Sequence, residues 1–172
     1  MEIHGDGFLL RPFEITDQKA LAKHANNENI SSNLRDRFPY PYTEEDAEWF
    51  IKFVLENNTP IKNFIIEING EAAGAISFWV GEDVYRLNAE IGYWLGEEHW
   101  NKGIMTAVIK ATVKYIFENF EIKRIFAMPF ATTTGSIMVL KKAGFEKEAT
   151  IKNGVIKKEK MLDYYIYSIT SF

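Results

Sequence analysis

The chain contains no cysteine in its 172 residues. Disulfides, thiolate–metal sites and thiol nucleophiles are therefore excluded, and so is any acyl transfer through a thioester on the protein itself. Histidine is scarce as well: His4, His24 and His99 are the whole set, and no two stand at metal-ligand spacing. No metal is expected on that count. Neither phosphate signature, G-x-x-x-x-G-K-[ST] or G-x-G-x-x-G, occurs in the chain, and there is no G-x-S-x-G nucleophile elbow. No apolar run approaches the ~20 residues of a membrane span. The first residues, Met1 to Asp6, lack the basic and apolar regions of a signal peptide. A cytoplasmic protein without a membrane partner is expected. The 20 basic and 24 acidic residues leave a net charge of −4, which gives no broad basic field for nucleic acid. A local phosphate site is still allowed, because a few N–H groups and lysines decide that.

What is present suits a packed core: 47% hydrophobic and 15% aromatic residues. The length fits one domain over residues 1–172, able to bury roughly 70% of its unfolded surface. Residues 8–12 read as a strand, and Thr16-Asp17 starts a helix through about His24. Residues 26–42 read as irregular, with Pro39 and Pro41 blocking helix. Thr43-Glu44-Glu45-Asp46 approximates a capping box for a helix with Ala47, Phe50, Ile51 and Val54 on its apolar face. Asn69-Gly70 is a strong hairpin signal between two strands, and Asn153-Gly154 predicts a second hairpin near the end. Residues 124–130 read as a strand and 136–143 as a short helix stopped at Gly144. A mixed sheet with helices on both faces follows, in the α+β class.

The most informative stretch spans residues 89–117, a strand, a loop and an amphipathic helix. Met105, Val108, Ile109, Val113, Ile116 and Phe117 recur at helical steps, with Thr106, Lys110, Lys114 and Glu118 opposite. A strand running through a tight loop into a helix leaves backbone N–H groups unpaired at the positive end of the helix dipole, a site for an anion. Gly103 would let the backbone approach a ligand closely, and Lys102 adds a cation. Equally, Gly103 could simply serve the turn.

Two motifs carry a family resemblance. The first is Glu90-Ile91-Gly92-Tyr93-Trp94-Leu95 followed by Trp100-Asn101-Lys102-Gly103-Ile104-Met105-Thr106. The second is Thr133, Ser136, Val139, Leu140, Lys142, Gly144 and Phe145. Residues 9–12 (L-L-R-P) and 38–47 also fit. The chain resembles the GNAT superfamily of acetyl-CoA-dependent N-acetyltransferases, and within it the RimJ/RimL branch that acts on ribosomal-protein N-termini. The resemblance implies a GNAT-like fold, with a central, mostly antiparallel twisted sheet flanked by helices. It implies acetyl-CoA as cosubstrate and transfer of an acetyl group to a primary amine. The acceptor would be a peptide N-terminus or a small amine, and the protein a monomer or homodimer. Three positions depart from the family pattern. Asn101 replaces the first glycine of G-K-G, Thr133 replaces an asparagine, and Leu140 stands where many members carry a tyrosine.

The resemblance assigns Trp94 and Leu95 to the pantetheine arm and Asn101, Lys102, Gly103, Ile104, Met105 and Thr106 to the pyrophosphate. Thr133, Ser136 and Lys142 would lie along the arm and toward the adenosine phosphate. An exposed helix lysine is the other reading of Lys142. An acceptor amine must lose a proton before attack. That costs about 1.4 kcal/mol at pH 7 for an α-amine of pKa ~8, and about 4.6 for a lysine of pKa ~10.4. Glu90 is the candidate base, or else a solvated strand residue paired with a lysine. Strand alternation puts Glu90, Gly92 and Trp94 on one face, with an open space at Gly92 for substrate, unless a bulge moves Trp94. Ser136 is the candidate hydroxyl for the leaving sulfur, or else a helix N-cap. A backbone N–H of the strand would meet the thioester oxygen. Residues 33–42, with Arg35, Phe38 and Tyr40, are the candidate acceptor segment or else aromatic packing between helices. Two further readings stay open: a cofactor-binding module without catalysis, and a phosphate- or nucleotide-binding protein of another kind.

Overall fold

The computed structural model describes residues 1–171. Eight strands, β1 (Ile3–Gly5), β2 (Phe8–Arg11), β3 (Asn63–Ile68), β4 (Glu71–Val80), β5 (Asn88–Leu95), β6 (Arg124–Ala127), β7 (Glu146–Lys157) and β8 (Lys160–Thr170), lie in the order β1-β2-β3-β4-β5-β6-β8-β7. Five helices accompany them: α1 (Gln18–Ala25), α2 (Glu28–Ser31), α3 (Glu44–Asn57), α4 (Ile104–Asn119) and α5 (Thr134–Lys142). The assigned pairings are antiparallel except β5 with β6. This is the expected α+β, mostly antiparallel sheet flanked by helices. Among the described residues no helix is long and apolar enough to cross a membrane.

The chain packs as two compact units. The first holds Met1–Ser77 with Tyr93–Val108. Its core gathers Phe13, Leu21, Ile51, Val54 and Ile65, with Tyr42 buried among them. Helix α3 starts where the capping box predicts: the Thr43 hydroxyl accepts from Asp46 N–H at 3.2 Å, and the Asp46 carboxylate accepts from Thr43 N–H at 2.8 Å. Ala47, Ile51 and Val54 are its buried stripe. Asn69 and Gly70 take φ of 53° and 80°, the two left-handed residues of a type I′ turn between β3 and β4. Arg11 on β2 forks onto Asp17 at 2.7 and 2.9 Å, tying the strand to the turn that opens α1. The segment 26–42 is less irregular than its prolines suggest, because the Asn27 side chain caps the short helix α2 by accepting from Asn29 N–H.

The second unit holds Phe78–Gly92 and the chain from Ile109 on. Phe78, Tyr115 and Phe120 meet edge to face there, with ring centroids 5.0 to 6.3 Å apart. The predicted apolar stripe of α4 is buried at Val108, Ile109, Val113 and Ile116. Thr112 joins it, only 1% exposed. Strand β6 ends at Ala127, short of the expected 130, and Phe130 makes an isolated bridge to Tyr164.

The last hairpin corrects the sequence reading. Asn153-Gly154 does not turn the chain; β7 runs through it with a register shift between Ile151 and Val155. The turn falls at Lys158-Glu159, with φ of 48° and 62°. Asn153 takes φ of 49°, and its N–H donates to the Asp163 carboxylate at 2.8 Å, so the pair forms a bulge instead. Moving the turn outward gains the pairs Val155–Leu162, Ile156–Met161 and Lys157–Lys160, which outweigh the local preference of two residues.

Burial pushes the Tyr42 phenol up to about 12 from its ordinary 10.0. The folded state thus favours the neutral phenol. The resulting stability is complete below about pH 10 and is lost as pH rises through about 12. In urea titrations the wild type is expected to lose stability more steeply over that window than Tyr42→Phe; equal slopes would contradict the assignment.

Candidate active site

The loop ahead of α4 is held at both ends. The 3₁₀ turn Glu97–His99 is fixed by the Glu97 carboxylate, which accepts from the side-chain amides of Asn27 at 2.6 Å and Asn29 at 3.0 Å. Trp100 follows, and its indole N–H donates to the Leu95 carbonyl at 2.8 Å. The chain then enters the left-handed region twice, at Asn101 (φ 60°) and Gly103 (φ 78°). Asparagine tolerates that region better than other non-glycine residues. The departure from G-K-G therefore keeps the backbone conformation that a glycine would adopt. A Cβ built at Gly103 would meet nothing within 4 Å, so the space beside it is open to a ligand.

The first i→i−4 bond of α4 runs from Ala107 N–H to the Gly103 carbonyl at 3.2 Å. The N–H groups of Ile104, Met105 and Thr106 precede it and have no intrahelical acceptor. They stand at the positive end of a 16-residue helix beside the exposed Lys102. A turn of alternating handedness with amides converging at a helix start suits an anion such as a diphosphate. Met105 is itself buried, so its contribution there is its backbone rather than its side chain.

Strand β5 leads into this loop. Ala89, Ile91 and Leu95 are buried, while Glu90, Gly92 and Trp94 are half-buried, the alternation expected along the strand. Tyr93 is half-buried too. Trp94 packs against the core of the first unit, its ring 5.5 Å from Phe38. Phe38 in turn lies 5.0 Å from Tyr42. The candidate acceptor segment thus divides: Phe38 is aromatic packing beside Trp94, whereas Arg35 and Tyr40 are exposed. Leu95 buries its side chain and commits its carbonyl to Trp100.

In the second unit β5 pairs with β6 at Asn88–Arg124, Ala89–Ile125 and Glu90–Phe126. The open space expected at Gly92 is not there. A Cβ on Gly92 would stand 2.9 Å from the ring of Trp79, which lies where the missing side chain would be. Trp79 is 54% exposed. Its signal in the sequence is slight, a large aromatic one residue from the end of β4. On α5 the reading of Ser136 as N-cap is also corrected. The helix begins at Thr134 with Thr133 as N-cap, whose side chain makes no capping bond. Ser136 lies inside the first turn, half-buried. Leu140 is fully buried, so this chain uses the family's tyrosine position for packing. Lys142 ends the helix, exposed beside Lys141, where both cations suit the negative helix end.

Residues 8–146 match the family described as the acetyltransferase (GNAT) domain. The chain belongs to that family. It is 28% identical to the uncharacterized N-acetyltransferase YnaD of Bacillus subtilis, over 98% of this chain and 96% of the relative. It is 27% identical to the ribosomal-protein-serine acetyltransferase of Escherichia coli, over 73% of this chain and 71% of the relative. Among solved structures, RimL, a ribosomal L7/L12 α-N-protein acetyltransferase in complex with coenzyme A, superposes with a TM-score of 0.87 at 21% identity, covering 99% of this chain and 98% of that one. The RimJ/RimL resemblance is supported by these likenesses.

Because Asn101 holds a left-handed backbone, Asn101→Gly is expected to leave both stability and acetyl-CoA-induced thermal stabilisation near wild type. Asn101→Val is expected to lower unfolding stability by about 1–2 kcal/mol and to weaken the thermal response. A valine variant that matched wild type in both measurements would refute the role given to this conformation.

Proposed function

We propose that this protein moves the acetyl group of acetyl-CoA directly to a primary amine within a ternary complex. The acceptor is the N-terminus of a protein or peptide, or a small amine. The observation that carries this reading is the pair of left-handed residues Asn101 and Gly103 ahead of α4, whose first i→i−4 bond starts at Ala107, so that the N–H groups of Ile104, Met105 and Thr106 have no acceptor within the helix. Those groups fit the diphosphate of a nucleotide thioester. Family membership, and the relative that acts on ribosomal-protein serine, favour a peptide amine as acceptor. A cofactor-binding module without catalysis would need the same turn, and turnover with an amine separates the two readings.

When bound, acetyl-CoA supplies a thioester whose carbonyl carbon accepts the amine and whose sulfur departs. Glu90 takes the proton that the amine must lose, directly or through one water. For an α-amine at neutral pH that is a modest task, about 1.4 kcal/mol. A backbone N–H of β5 donates to the thioester oxygen as it gains charge. Ser136 presents a hydroxyl that can donate to the departing sulfur, and Thr133 and Lys142 line the arm of the cosubstrate. Trp94 orients the arm, and Leu95 contributes through its backbone. Gly92 with Trp79 bounds the acceptor, and the exposed Arg35 and Tyr40 select it, while Phe38 holds their segment against Trp94. With no cysteine in the chain, the acetyl group has no protein thiol on which to rest.

The same lack of cysteine makes released CoA thiol readable with a thiol reagent against no protein background. Across N-terminal peptides, amino acids and polyamines, turnover is expected with at least one class of amine. With an α-amine acceptor at pH 7, Glu90→Gln is expected to lower kcat by about tenfold, the cost of deprotonating such an amine, while acetyl-CoA still raises the melting temperature as in wild type. Lost cosubstrate binding with turnover per bound enzyme preserved would remove Glu90 from the base role.

A further inference from the structure

Side chains from two segments far apart in sequence meet in the first unit: His24 on α1, and the neighbours Glu98 and His99 on the turn that precedes the loop. Each offers one ligand atom, and these atoms all lie within 4.8 Å of one another. His24 Nδ1 stands 3.4 Å from a Glu98 carboxylate oxygen, and His99 Nε2 stands 3.5 Å from the same oxygen. Both separations are long for N–H···O hydrogen bonds, which cluster near 2.7–3.2 Å. They match the spacing of two ligands on a tetrahedral zinc ion, whose bonds of about 2.0–2.1 Å place neighbouring donors about 3.3–3.4 Å apart.

The surroundings of His24 point the same way. Its side chain is only 4% exposed, and its Nε2 is buried without a hydrogen-bond partner. That nitrogen faces the Glu71 carboxylate at 3.3 Å, close but not aligned. A proton on Nε2 directed at Glu71 would leave Nδ1 with a free lone pair aimed toward Glu98, the carboxylate–histidine–metal arrangement that commonly orients imidazole ligands. Lys23 holds the same Glu71 oxygen at 2.7 Å and fixes its position. The imidazole packs into the place a side chain on Gly96 would take, since a Cβ there would stand 2.6 Å from Nδ1, so only glycine lets His24 approach the 97–99 turn this closely. The rings of His24 and His99 are 5.7 Å apart and tilted by 48°, so they converge without stacking.

We propose that His24 Nδ1, His99 Nε2 and a Glu98 carboxylate oxygen bind one divalent transition-metal ion of the zinc type, with water as the fourth ligand. Two imidazoles and one carboxylate suit zinc, and cobalt(II) as its spectroscopic substitute, better than calcium or magnesium. The ion would fasten the 97–99 turn onto α1. It would act as a staple for the loop that follows rather than as a participant in acetyl transfer, so the proposal does not depend on the reaction assigned above.

The test uses untagged, chelator-treated full-length protein titrated with Zn²⁺ and Co²⁺ alone, followed by calorimetry, visible absorption and melting temperature. One ion per chain is expected, with cobalt bands of tetrahedral intensity and a rise in melting temperature. His99→Ala and Glu98→Gln, both at positions more exposed than His24, should each abolish the cobalt bands. Glu71→Gln should weaken affinity about 10–100-fold. His4→Ala, at an exposed histidine paired with Glu2, should change nothing. Failure to bind would overturn the proposal, as would binding that survives His99→Ala and Glu98→Gln together or is lost on His4→Ala. None of these readouts involves acetyl-CoA, so a failure here leaves the acetyltransferase reading standing.

Discussion

The conformation of two residues, Asn101 and Gly103, governs how the amides at the head of α4 are presented. At φ of 60° and 78° they turn the chain into the helix, and the space beside Gly103 is open. A residue confined to negative φ at either position would aim those groups elsewhere. The turn is also supported from outside. Trp100 is bonded to the Leu95 carbonyl, and Glu97 bridges Asn27 and Asn29. The proposed binding of a diphosphate by these amides would need that rigidity, because amides carry no side-chain freedom with which to recover a lost orientation.

The departures from the family motif sort by physical kind. Asn101 preserves the backbone and adds a polar side chain, a change that the left-handed region accepts. Leu140 removes a hydroxyl and gives the position to the core, where it is fully buried. Thr133 remains at the start of α5 and caps nothing through its side chain. Only the second of these removes a proton donor, which places weight on Ser136. With no cysteine available, every role proposed in the acetyl transfer step falls to oxygen and backbone groups.

Trp79 and the histidine cluster arise from contacts between segments distant in sequence. Trp79 on β4 fills the gap that Gly92 on β5 leaves, and glycine is needed there because the ring lies where a side chain would stand. A glycine can thus mark a place already occupied as readily as one left free. His24 and His99 meet because Glu97 pins its turn against the Asn27–Asn29 segment that follows α1. Their separation along the chain says nothing of this.

The sequence by itself determined the elements whose causes are local. The Thr43–Asp46 box starts α3, Asn69-Gly70 turns β3 into β4, and the apolar steps from Val108 to Ile116 bury one face of α4. The strand–loop–helix with its free amides was equally legible, because helix ends leave donors unpaired wherever the helix sits. Tertiary structure decided where local preference competes with pairing or space. The longer β7–β8 ladder turned Asn153-Gly154 into a bulge, Trp79 closed the gap at Gly92, and folding brought His24 to Glu98 and His99. Those outcomes depend on energies between segments that a one-dimensional pattern does not contain.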